Sequence, residues 1–393
     1  MTEWREYKLK ELADFNPDSL TAKSKLQFIN YLDTGNITKG KIDTIQYLNL
    51  STDKVPSRAK RIVKKNDIVY STVRPNQEHY GIIKNPVDNM IVSTGFVVLR
   101  SKEDKCYSDF LYYFLTLPEN TEYLSNVAED STTAYPSITP DVIMDMDISL
   151  PPLPEQKAIA EVLSSLDDKI DLLTRQNKTL EDLAQAYFRK WFIEDASDEW
   201  EVGKLGDFVE VIDNRGKTPP YQDIPTEYPI IEVKSISGDN RFIDYQKCEK
   251  FVLESTYKTW FRGYIKPLDV LVSTVGSVGE IAQVLLEHGV IAQNVIGLRS
   301  KGTSPYHLFE YMKYMKNEIK ELDIGSVQPS IKVPHLLSLQ YVKPDRDSLR
   351  KFDDFSKELV NKMISNFMQI QTLQKLRDTL LPKLISGEIR VKM

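Results

Sequence analysis

The chain contains the same ordered set of short motifs twice, about 195 residues apart. An apolar segment ending in Ser-Thr-Val occurs as Asp67–Val73 and again as Asp269–Val275. The other matched pairs keep the same order: Trp4–Leu9 with Trp200–Leu205, Pro136–Ile138 with Pro329–Ile331, and Gln176–Leu180 with Gln369–Leu373. This order indicates a tandem duplication, so whatever fold the first half adopts, the second half must also adopt.

The spacing between matched motifs varies along the chain, so insertions and deletions fall in the connections between them, where loops tolerate change. Short β-branched runs predict strands, and aromatic residues at helical spacing predict helices. The predicted strands are Ile68–Val73, Ile91–Leu99, Val270–Val275 and Val290–Leu298, and the predicted helices are Tyr107–Leu117 and Pro305–Glu321. Each half therefore has a mixed α and β composition, with a shared frame and individual loops.

Each half ends in a long segment with apolar residues every three or four positions, over residues 154 to about 192 and 348 to about 385. Each segment predicts a helix roughly 55 to 60 Å long. The predicted seam of the pair is Ile159, Leu166, Ile170, Asn177, Leu180, Leu359, Met363, Asn366, Leu373 and Leu380. Two alternatives remain for Asn177 and Asn366: they fix the register of the pair, or they point to its rim.

A single helix with such a stripe would leave apolar surface in water, so we expect the two helices to pack as an antiparallel coiled coil. The predicted fold is α+β, with two α/β domains at the ends of a rod, about 35 to 60 Å apart. The expected domains are residues 1–152, 153–194 (first long helix), 195–346 and 347–393 (second long helix).

The composition is typical of a soluble cytoplasmic protein, with 41% apolar and 27% charged residues. The N-terminal residues lack the apolar core of a secretory signal. The two cysteines, Cys106 and Cys248, stand at non-equivalent places and cannot form a disulfide framework, and the four histidines show no ligand spacing. The net charge of −6 does not exclude nucleic acid, because DNA binding depends on local basic clusters.

The run Leu150–Gln156 (LPPLPEQ) opens the first long helix, and the strand segment Asp269–Gly276 ends in Ser-Thr-Val-Gly. With the two repeated halves, these motifs resemble the specificity subunit of Type I restriction-modification systems over essentially the whole chain. Two departures stand out: the second helix opens with Lys343–Asp347, and Arg74 replaces the glycine of the strand segment in the first half.

The resemblance implies a non-catalytic scaffold whose two target recognition domains each contact one half of a split DNA target, while the coiled coil fixes the spacer. It implies two methyltransferase subunits, which bring S-adenosylmethionine, and restriction subunits, which use ATP and Mg²⁺, as partners, with no cofactor in this chain. The scattered histidines predict no metal site, and the lack of an apolar run of ~20 residues predicts no membrane contact. The expected half-sites lie about one turn of B-DNA, ~34 to 36 Å, apart.

Two other functions stay open from the residues alone. A stand-alone DNA-binding or coiled-coil adaptor protein would use the same architecture without modification partners. A metal-dependent nuclease would use Asp223, Glu232 and Lys234, although the first half has no equivalent of Glu232 or Lys234. Thr218–Tyr221 lacks the Asn or Asp that a DNA methyltransferase places before Pro-Pro-Tyr.

The candidate DNA contacts fall into two classes. A basic cluster in the first half would bind phosphates: Lys54, Arg58, Lys60, Arg61, Lys64 and Lys65. Arg, Asn and Gln in loops would pair with base edges, and the candidates are Arg74, Asn76 and Gln77 in the first half and Asn214, Arg215, Lys217, Gln293 and Gln328 in the second. Further phosphate bonds are expected from the loop Ser131–Tyr135, including Tyr135, and from Ser277.

Overall fold

The structure is a computed structural model that describes residues 4–21, 24–131, 135–238, 240–325 and 327–391. The chain divides into two compact units. The first unit comprises Met1–Asp171 with Gln371–Met393, and the second comprises Leu172–Ile370. Each unit therefore contains part of both long helices, in addition to one of the two repeats.

The first repeat contains twelve strands among its described residues: β1 (Arg5–Lys8), β2 (Ala13–Phe15), β3 (Phe28–Leu32), β4 (Ile37–Thr38), β5 (Lys41–Ile42), β6 (Gln46–Asn49), β7 (Ala59–Ile62), β8 (Ile68–Ser71), β9 (Tyr80–Ile82), β10 (Met90–Ser93), β11 (Phe96–Ser101) and β12 (Asp147–Leu150). Its helices are α1 (Leu9–Leu12), α2 (Ser108–Leu115), α3 (Pro118–Glu129) and α4 (Pro140–Met144), followed by the long helix α5 (Leu153–Arg189) and a π-helical turn at Lys190–Glu194.

The strands of the first unit form two four-stranded sheets and two smaller pairs. One sheet has the order β2-β11-β8-β9 and is antiparallel throughout; the other has the order β6-β3-β10-β7, with β3 and β10 parallel. Strand β1 pairs with β12, and β4 with β5. The main core lies between the antiparallel sheet and the helices, and includes Leu9, Tyr70, Phe110, Ile159 and Leu384.

The second repeat contains β13 (Glu201–Lys204), β14 (Val209–Ile212), β15 (Ile230–Ile231), β16 (Val270–Ser273), β17 (Ile281–Gln283), β18 (Val290–Ile291), β19 (Val295–Ser300) and β20 (Gln340–Lys343). Its helices are α6 (Val233–Ile236), α7 (Glu254–Trp260), α8 (Pro305–Tyr314), α9 (Lys316–Glu321) and α10 (Val333–Leu337), followed by the long helix α11 (Arg346–Ile385). The antiparallel sheet β14-β19-β16-β17 and the pair β13-β20 repeat those of the first unit, whereas the four-stranded mixed sheet is matched only by its central parallel pair, β15-β18.

The repeated Ser-Thr-Val and Pro-Ser-Ile motifs contact each other in each unit. The Ile138 amide donates to the carbonyl of Thr72 at 2.9 Å, and the Ile331 amide donates to the carbonyl of Thr274 at 2.8 Å. Because these are backbone bonds, the two motifs mark one junction of the frame in both halves.

Two strand predictions are wrong in the same way. Residues Ile91–Leu99 and Val290–Leu298 each form two strands instead of one, because turns at Thr94–Gly95 and Gln293–Asn294 interrupt them. The two strands of each pair belong to different sheets. The apolar pattern alone did not predict that the chain passes from one sheet to the other within each run. The helix predicted over Pro305–Glu321 is likewise interrupted at Met315.

Both long helices are confirmed, with 37 residues in α5 and 40 in α11. They run antiparallel within each unit. In the first unit, Arg377 donates to Asp167 at 2.8 Å, and Arg390, which follows α11, pairs with Glu155 near the start of α5. In the second unit, the ring of Tyr187 near the end of α5 lies 4.4 Å from that of Phe355 near the start of α11.

The predicted seam residues are all buried or half-buried. Ile159, Met363 and Asn366 are buried, and the half-buried ones are Leu166, Ile170, Asn177, Leu180, Leu359, Leu373 and Leu380. The Asn366 amide donates to Asn177 and to Gln176, both at 2.8 Å, so the two asparagines meet across the helices. No helix in the described part of the chain is long and apolar enough to span a bilayer.

The Pro-Pro-Leu-Pro-Glu-Gln run fixes the start of α5 on the first domain. Gln156 is buried, and its side-chain oxygen accepts from the Tyr107 amide at 2.8 Å, which caps α2. Its side-chain amide donates to the carbonyls of Pro151 and Lys105. The motif is therefore a structural joint between a long helix and a domain helix.

Candidate nucleic-acid interface

The loop that follows β8 in the first unit carries three exposed polar side chains, Arg74, Asn76 and Gln77. Pro75–Gln77 form a 3₁₀ turn, and Arg74 precedes it in a left-handed conformation, with φ of 48°. The Arg74 amide donates to the carbonyl of Pro136 at 2.9 Å. The turn and this bond hold the three side chains at one end of the antiparallel sheet.

The second unit places Gly276 at the position of Arg74. Gly276 is also left-handed, with φ of 83°, and its amide donates to the carbonyl of Pro329 at 3.0 Å. The backbone turn is therefore kept despite the sequence departure at Arg74. A non-glycine residue costs of order 1 kcal/mol or more in this conformation, so the first unit retains an arginine where a glycine would fit without strain.

Arg74 borders a cleft of about 210 Å³ between its own loop and helix α3, whose far wall includes Ser125 and Glu129. The guanidinium carbon lies 5.5 Å from the centre of the exposed Tyr135 ring, within cation–π range. Gln77 lies 3.2 Å from the imidazole of His79, which restrains its amide. Thr132–Ala134, the middle of the predicted phosphate-binding loop, lie outside the described residues.

The predicted basic cluster of the first unit follows the edge strand β7 and the residues beside it. Lys54, Arg58, Lys60, Lys64 and Lys65 are exposed, and Lys64 pairs with Asp18 at 3.0 Å.

Arg61, in the same strand, is only half-exposed. Its Nε atom is buried without a hydrogen-bond partner among the described residues. This burial lowers the pKa of Arg61 from its ordinary value. The other five members of the cluster are thus more accessible to a ligand than Arg61.

In the second unit, one of the three candidate residues after β14 is buried and the other two are partly or fully exposed. Asn214 is 2% exposed, and its side chain bonds Gly263 and Ile291 carbonyls and the Arg262 and Gly263 amides. All its hydrogen-bonding capacity is used inside the unit, so it holds the loop in place and does not reach base edges.

The Arg215 guanidinium forms a bidentate pair with Asp213, at 2.9 and 2.8 Å. Its carbonyl accepts from Arg262, an exposed residue that the sequence reading missed because it lies 47 positions away. Lys217 is exposed nearby in sequence, and Gln293 donates to Thr218 at 3.0 Å. The loop therefore presents basic groups of which one, Arg215, is held rigidly.

The second unit also has an open cleft, and its wall includes the Arg74 equivalent, Gly276, together with Ser277 and Asn294. Lys234 and Lys247 line the same cleft; Lys234 pairs with Glu249 and Lys247 with Asp244. The exposed Gln328 approaches from the opposite loop, with its amide nitrogen 3.7 Å from where a Cβ of Gly276 would lie. Equivalent positions thus border a cleft in both units, with Arg74 and Glu129 in the lining of one and Lys234 and Lys247 in that of the other.

Two of the three residues considered for a nuclease form ion pairs with neighbouring side chains. Glu232 accepts from Lys250 at 2.7 Å, and Lys234 pairs with Glu249. Within the described ranges, no group of three or more His, Cys, Asp or Glu side chains is arranged to hold a metal ion.

Residues 1–182 and 197–340 match the model of the Type I restriction modification DNA specificity domain. The chain belongs to this family. It carries two copies of the specificity domain, one in each repeat, and its role is recognition of a DNA sequence in a Type I restriction-modification system.

Two curated relatives span almost the whole chain. The chain is 24% identical to the Type I restriction enzyme HindI specificity subunit of Haemophilus influenzae, over 99% of this chain and 100% of that one. It is 26% identical to the MjaIX specificity subunit of Methanocaldococcus jannaschii, over 99% and 94%. These relatives are named as specificity subunits, so the family favours recognition over the nuclease and adaptor alternatives.

A solved structure shows a similar fold. The S subunit of a Type I restriction-modification system from M. genitalium superposes with a TM-score of 0.58 at 18% identity, covering 99% of this chain and 96% of that one.

Proposed function

We propose that each unit reads one half of a bipartite DNA target through the cleft beside its Ser-Thr-Val strand. The observation that supports this most directly is the pair Arg74 and Gly276. The two residues share one backbone position and conformation, yet one adds a guanidinium and the other leaves the cleft open. Shared frames with different cleft side chains suit a target whose two halves differ.

In the first unit, Arg74 is the leading candidate for base reading, because an arginine can donate two hydrogen bonds to the edge of guanine. Asn76 and Gln77 can pair with adenine in the same way. Arg58, Lys60 and Lys64 would bind phosphates, with Arg61 half-buried behind them, and Tyr135 would support Arg74 through its ring.

In the second unit, the proposed contacts from the sequence are Lys217, Ser277, Gln293 and Gln328. The structure adds three basic residues beside them as further proposed contacts: Arg262, Lys234 and Lys247. Arg215 is a further proposed contact, and its side chain is held rigidly because Asp213 fixes its guanidinium plane. Asn214 serves this site indirectly, since it holds the loop that carries Arg215.

We infer that α5 and α11 set the spacer between the half-sites. Their lengths and their antiparallel pairing inside each unit support this, and the Asn177–Asn366 bond suits a register-fixing role. We further propose that methyltransferase and restriction subunits assemble with the chain in the cytoplasm, as the names of its relatives suggest, and that the expected domain limits 1–152, 153–194, 195–346 and 347–393 describe its functional parts.

Exchange of residues 1–152 for those of another family member tests the proposal. The full-length chimera would be expressed with the methyltransferase of its system, and methylated positions would be mapped in the genome of the cell. The expected result is one new half-site, with the other half-site and the spacer unchanged. A change in both half-sites would contradict the assignment of one half-site to each unit.

Insertion of one heptad into both α5 and α11 tests the spacer separately. The expected result is a longer spacer between unchanged half-sites. The matched control inserts the same residues into the exposed loop at Thr52–Asp53, which is expected to leave the spacer as it is. An unchanged spacer in the helix variant would contradict the role of the helices.

A further inference from the structure

A single buried arginine in the second unit joins three separate elements. Arg241, in the connection between α6 and α7, has a side chain only 3% exposed. Its guanidinium donates to Glu181 on α5 at 2.9 Å and to Glu310 on α8 at 2.6 Å. Its Nε donates to Gln283 on β17 at 3.0 Å. The guanidinium carbon also lies 4.0 Å from the centre of the Phe309 ring.

This cluster places two carboxyl groups and one guanidinium in the interior. One nitrogen of Arg241 and one oxygen each of Glu181 and Glu310 have no hydrogen-bond partner among the described residues. Burial raises the pKa of Glu310, against the lowering effect of the Arg241 charge. Well-packed apolar side chains commonly give as much stability as such a cluster. Stability alone is therefore a weak explanation for these three residues.

The backbone beside Arg241 is fixed on the second long helix as well. Phe242 is 4% exposed and packs with Val360 and Met363 of α11. The carbonyl of Arg241 accepts from the Gln283 amide at 2.7 Å. Arg241 and Phe242 therefore form an anchor between this connection and both long helices, within the second unit.

The connection that Arg241 anchors contributes residues to the second cleft on both sides of Arg241 in the sequence. Ser237 and Lys247 line that cleft together with Gly276 and Ser277, and they stand before and after Arg241 in sequence. The Gly238 amide donates to Glu280 at 3.3 Å, which adds a further attachment on the cleft side. The position of the two cleft residues thus depends on a segment that Arg241 ties to α5, α8 and β17.

In the first unit, the position that corresponds to Arg241 is packed without a buried arginine. The connection beside the corresponding strand, β9, carries Gly40, whose amide donates to the carbonyl of Tyr80 at 2.8 Å. A Cβ on Gly40 would lie 2.9 Å from the hydroxyl of Tyr112 on α2. Close backbone packing against a helix therefore replaces the charged cluster, so the shared frame does not itself require one.

We propose that Arg241 is a positioning residue for the second cleft: it fixes Ser237 and Lys247 relative to α5 and α8, and so sets the selectivity for the half-site read there. The inference rests on the proposed function of that cleft. Arg241 does not itself touch DNA in this account, because its guanidinium is enclosed by Glu181, Glu310 and Gln283.

Arg241→Lys tests the proposal in the full-length chain, expressed with its methyltransferase. Lysine keeps the charge, but its single ammonium cannot reproduce the forked contacts of a guanidinium. Genomic methylation mapping is expected to show roughly tenfold weaker discrimination at the second half-site. The first half-site and the spacer are expected to stay unchanged.

Tyr341→Phe is the matched control for lost stability. It removes the bond between the Tyr341 hydroxyl and His307, 2.8 Å long, from the core of the same unit without touching the anchored connection. It is expected to lower the melting temperature while leaving both half-sites intact. Hydrogen exchange over residues 233–238 and 244–248 is expected to rise in Arg241→Lys and not in Tyr341→Phe. Unchanged selectivity in Arg241→Lys would overturn the proposal.

If Arg241→Lys fails to fold, the triple variant Arg241→Met, Glu181→Gln, Glu310→Gln tests the proposal instead. It removes the guanidinium and both carboxyl groups of the cluster, so no charged side chain is left without its partner. Relaxed selectivity at the second half-site in a folded triple variant supports the proposal. Intact selectivity overturns it, and so does a triple variant that fails to fold, since the cluster would then be needed for the core itself.

Lys247→Ala with Ser277→Ala separates this inference from the proposed function. If these cleft substitutions leave the second half-site unchanged, the cleft does not read DNA and the proposed function fails. If they alter it while Arg241→Lys does not, only the role of Arg241 fails.

Discussion

Asp67 and Arg100 form a two-bonded ion pair in the first unit, with Nε to Oδ1 at 2.8 Å and Nη2 to Oδ2 at 2.7 Å. Asp269 and Arg299 repeat it in the second, at 3.0 and 2.7 Å. Each aspartate also accepts the amide three residues before it, from Lys64 or Lys266, at 2.7 Å. The pair therefore joins the turn before the Ser-Thr-Val strand to its neighbouring strand, which explains why the aspartate and the arginine both recur in the second repeat.

Loss of Arg100 is expected to destabilise the protein strongly. Arg100→Met leaves the Asp67 carboxylate, which is 0% exposed, without its half-buried partner, and we expect a loss of about 3 kcal/mol in the free energy of unfolding. Lys102→Met is the control, because Lys102 lies in the same region, 3.9 Å from the exposed Asp14, and is expected to change stability little. Denaturant titration of the full chain measures the free energy of unfolding of both variants. Equal effects would show that the pair contributes no more than a surface contact.

Arg74→Gly is expected to separate recognition from stability. Glycine relieves the left-handed backbone, so the free energy of unfolding is expected to stay level or rise by about 1 kcal/mol. Discrimination at the first half-site is expected to fall, because the guanidinium is gone. Thermal melting and methylation mapping report the two effects. Lys39→Gly, at another left-handed and exposed position of the same unit, is the control expected to leave both half-sites unchanged.

The asparagine pair is expected to affect register more than stability. In the double variant Asn177→Leu, Asn366→Leu, both partners of the bond become apolar, so stability is expected to be unchanged or higher by about 1 kcal/mol. Spacers of altered length are expected among the methylated sites, since the polar pair no longer penalises shifted packing. Asn361→Leu, on an exposed face of α11, serves as the control. A fixed spacer in the double variant would contradict a register role.

His307 is expected to make the second unit sensitive to acid. Burial lowers its pKa to about 3, and its Nδ1 contacts the Tyr341 hydroxyl. Between its ordinary pKa of 6.5 and that value, the unfolded chain binds a proton that the folded chain does not, so stability falls as pH falls below about 6.5. From pH 8 to pH 5 the loss is expected to be about 2 kcal/mol from this residue.

His307→Phe is expected to flatten this dependence, whatever its effect at pH 8. Unfolding free energies at several pH values between 5 and 8 provide the measurement. His335→Phe, at an exposed position, is expected to keep the slope of the wild type. If His307→Phe keeps that slope too, another group is responsible for the acid sensitivity.

The duplicated frame and both long helices could be predicted, because repeated motifs and a regular apolar stripe are properties of the sequence itself. The change of sheet at Thr94–Gly95 could not, since both flanking strands are buried and apolar and periodicity does not register a turn between them.

The residues of the candidate sites could likewise be predicted only in part from the sequence. Arg74 could be selected for its residue type and its departure from glycine. The burial of Asn214 could not be foreseen, because its partners Gly263 and Ile291 are distant in sequence. Lys247 and Arg262 were missed for the same reason: they meet the cleft and the loop only through tertiary folding.

The central claim is that each unit reads its own half-site, and single-molecule mapping of methylated genomic positions tests it most directly. Maps would be compared for the wild type, Arg74→Ala, and Lys247→Ala with Ser277→Ala, each in the full-length chain with its own methyltransferase. The account predicts a two-part target with a constant spacer, relaxed at one half by Arg74→Ala and at the other half by the second variant. A continuous target, or relaxation of the same half by both variants, would contradict it.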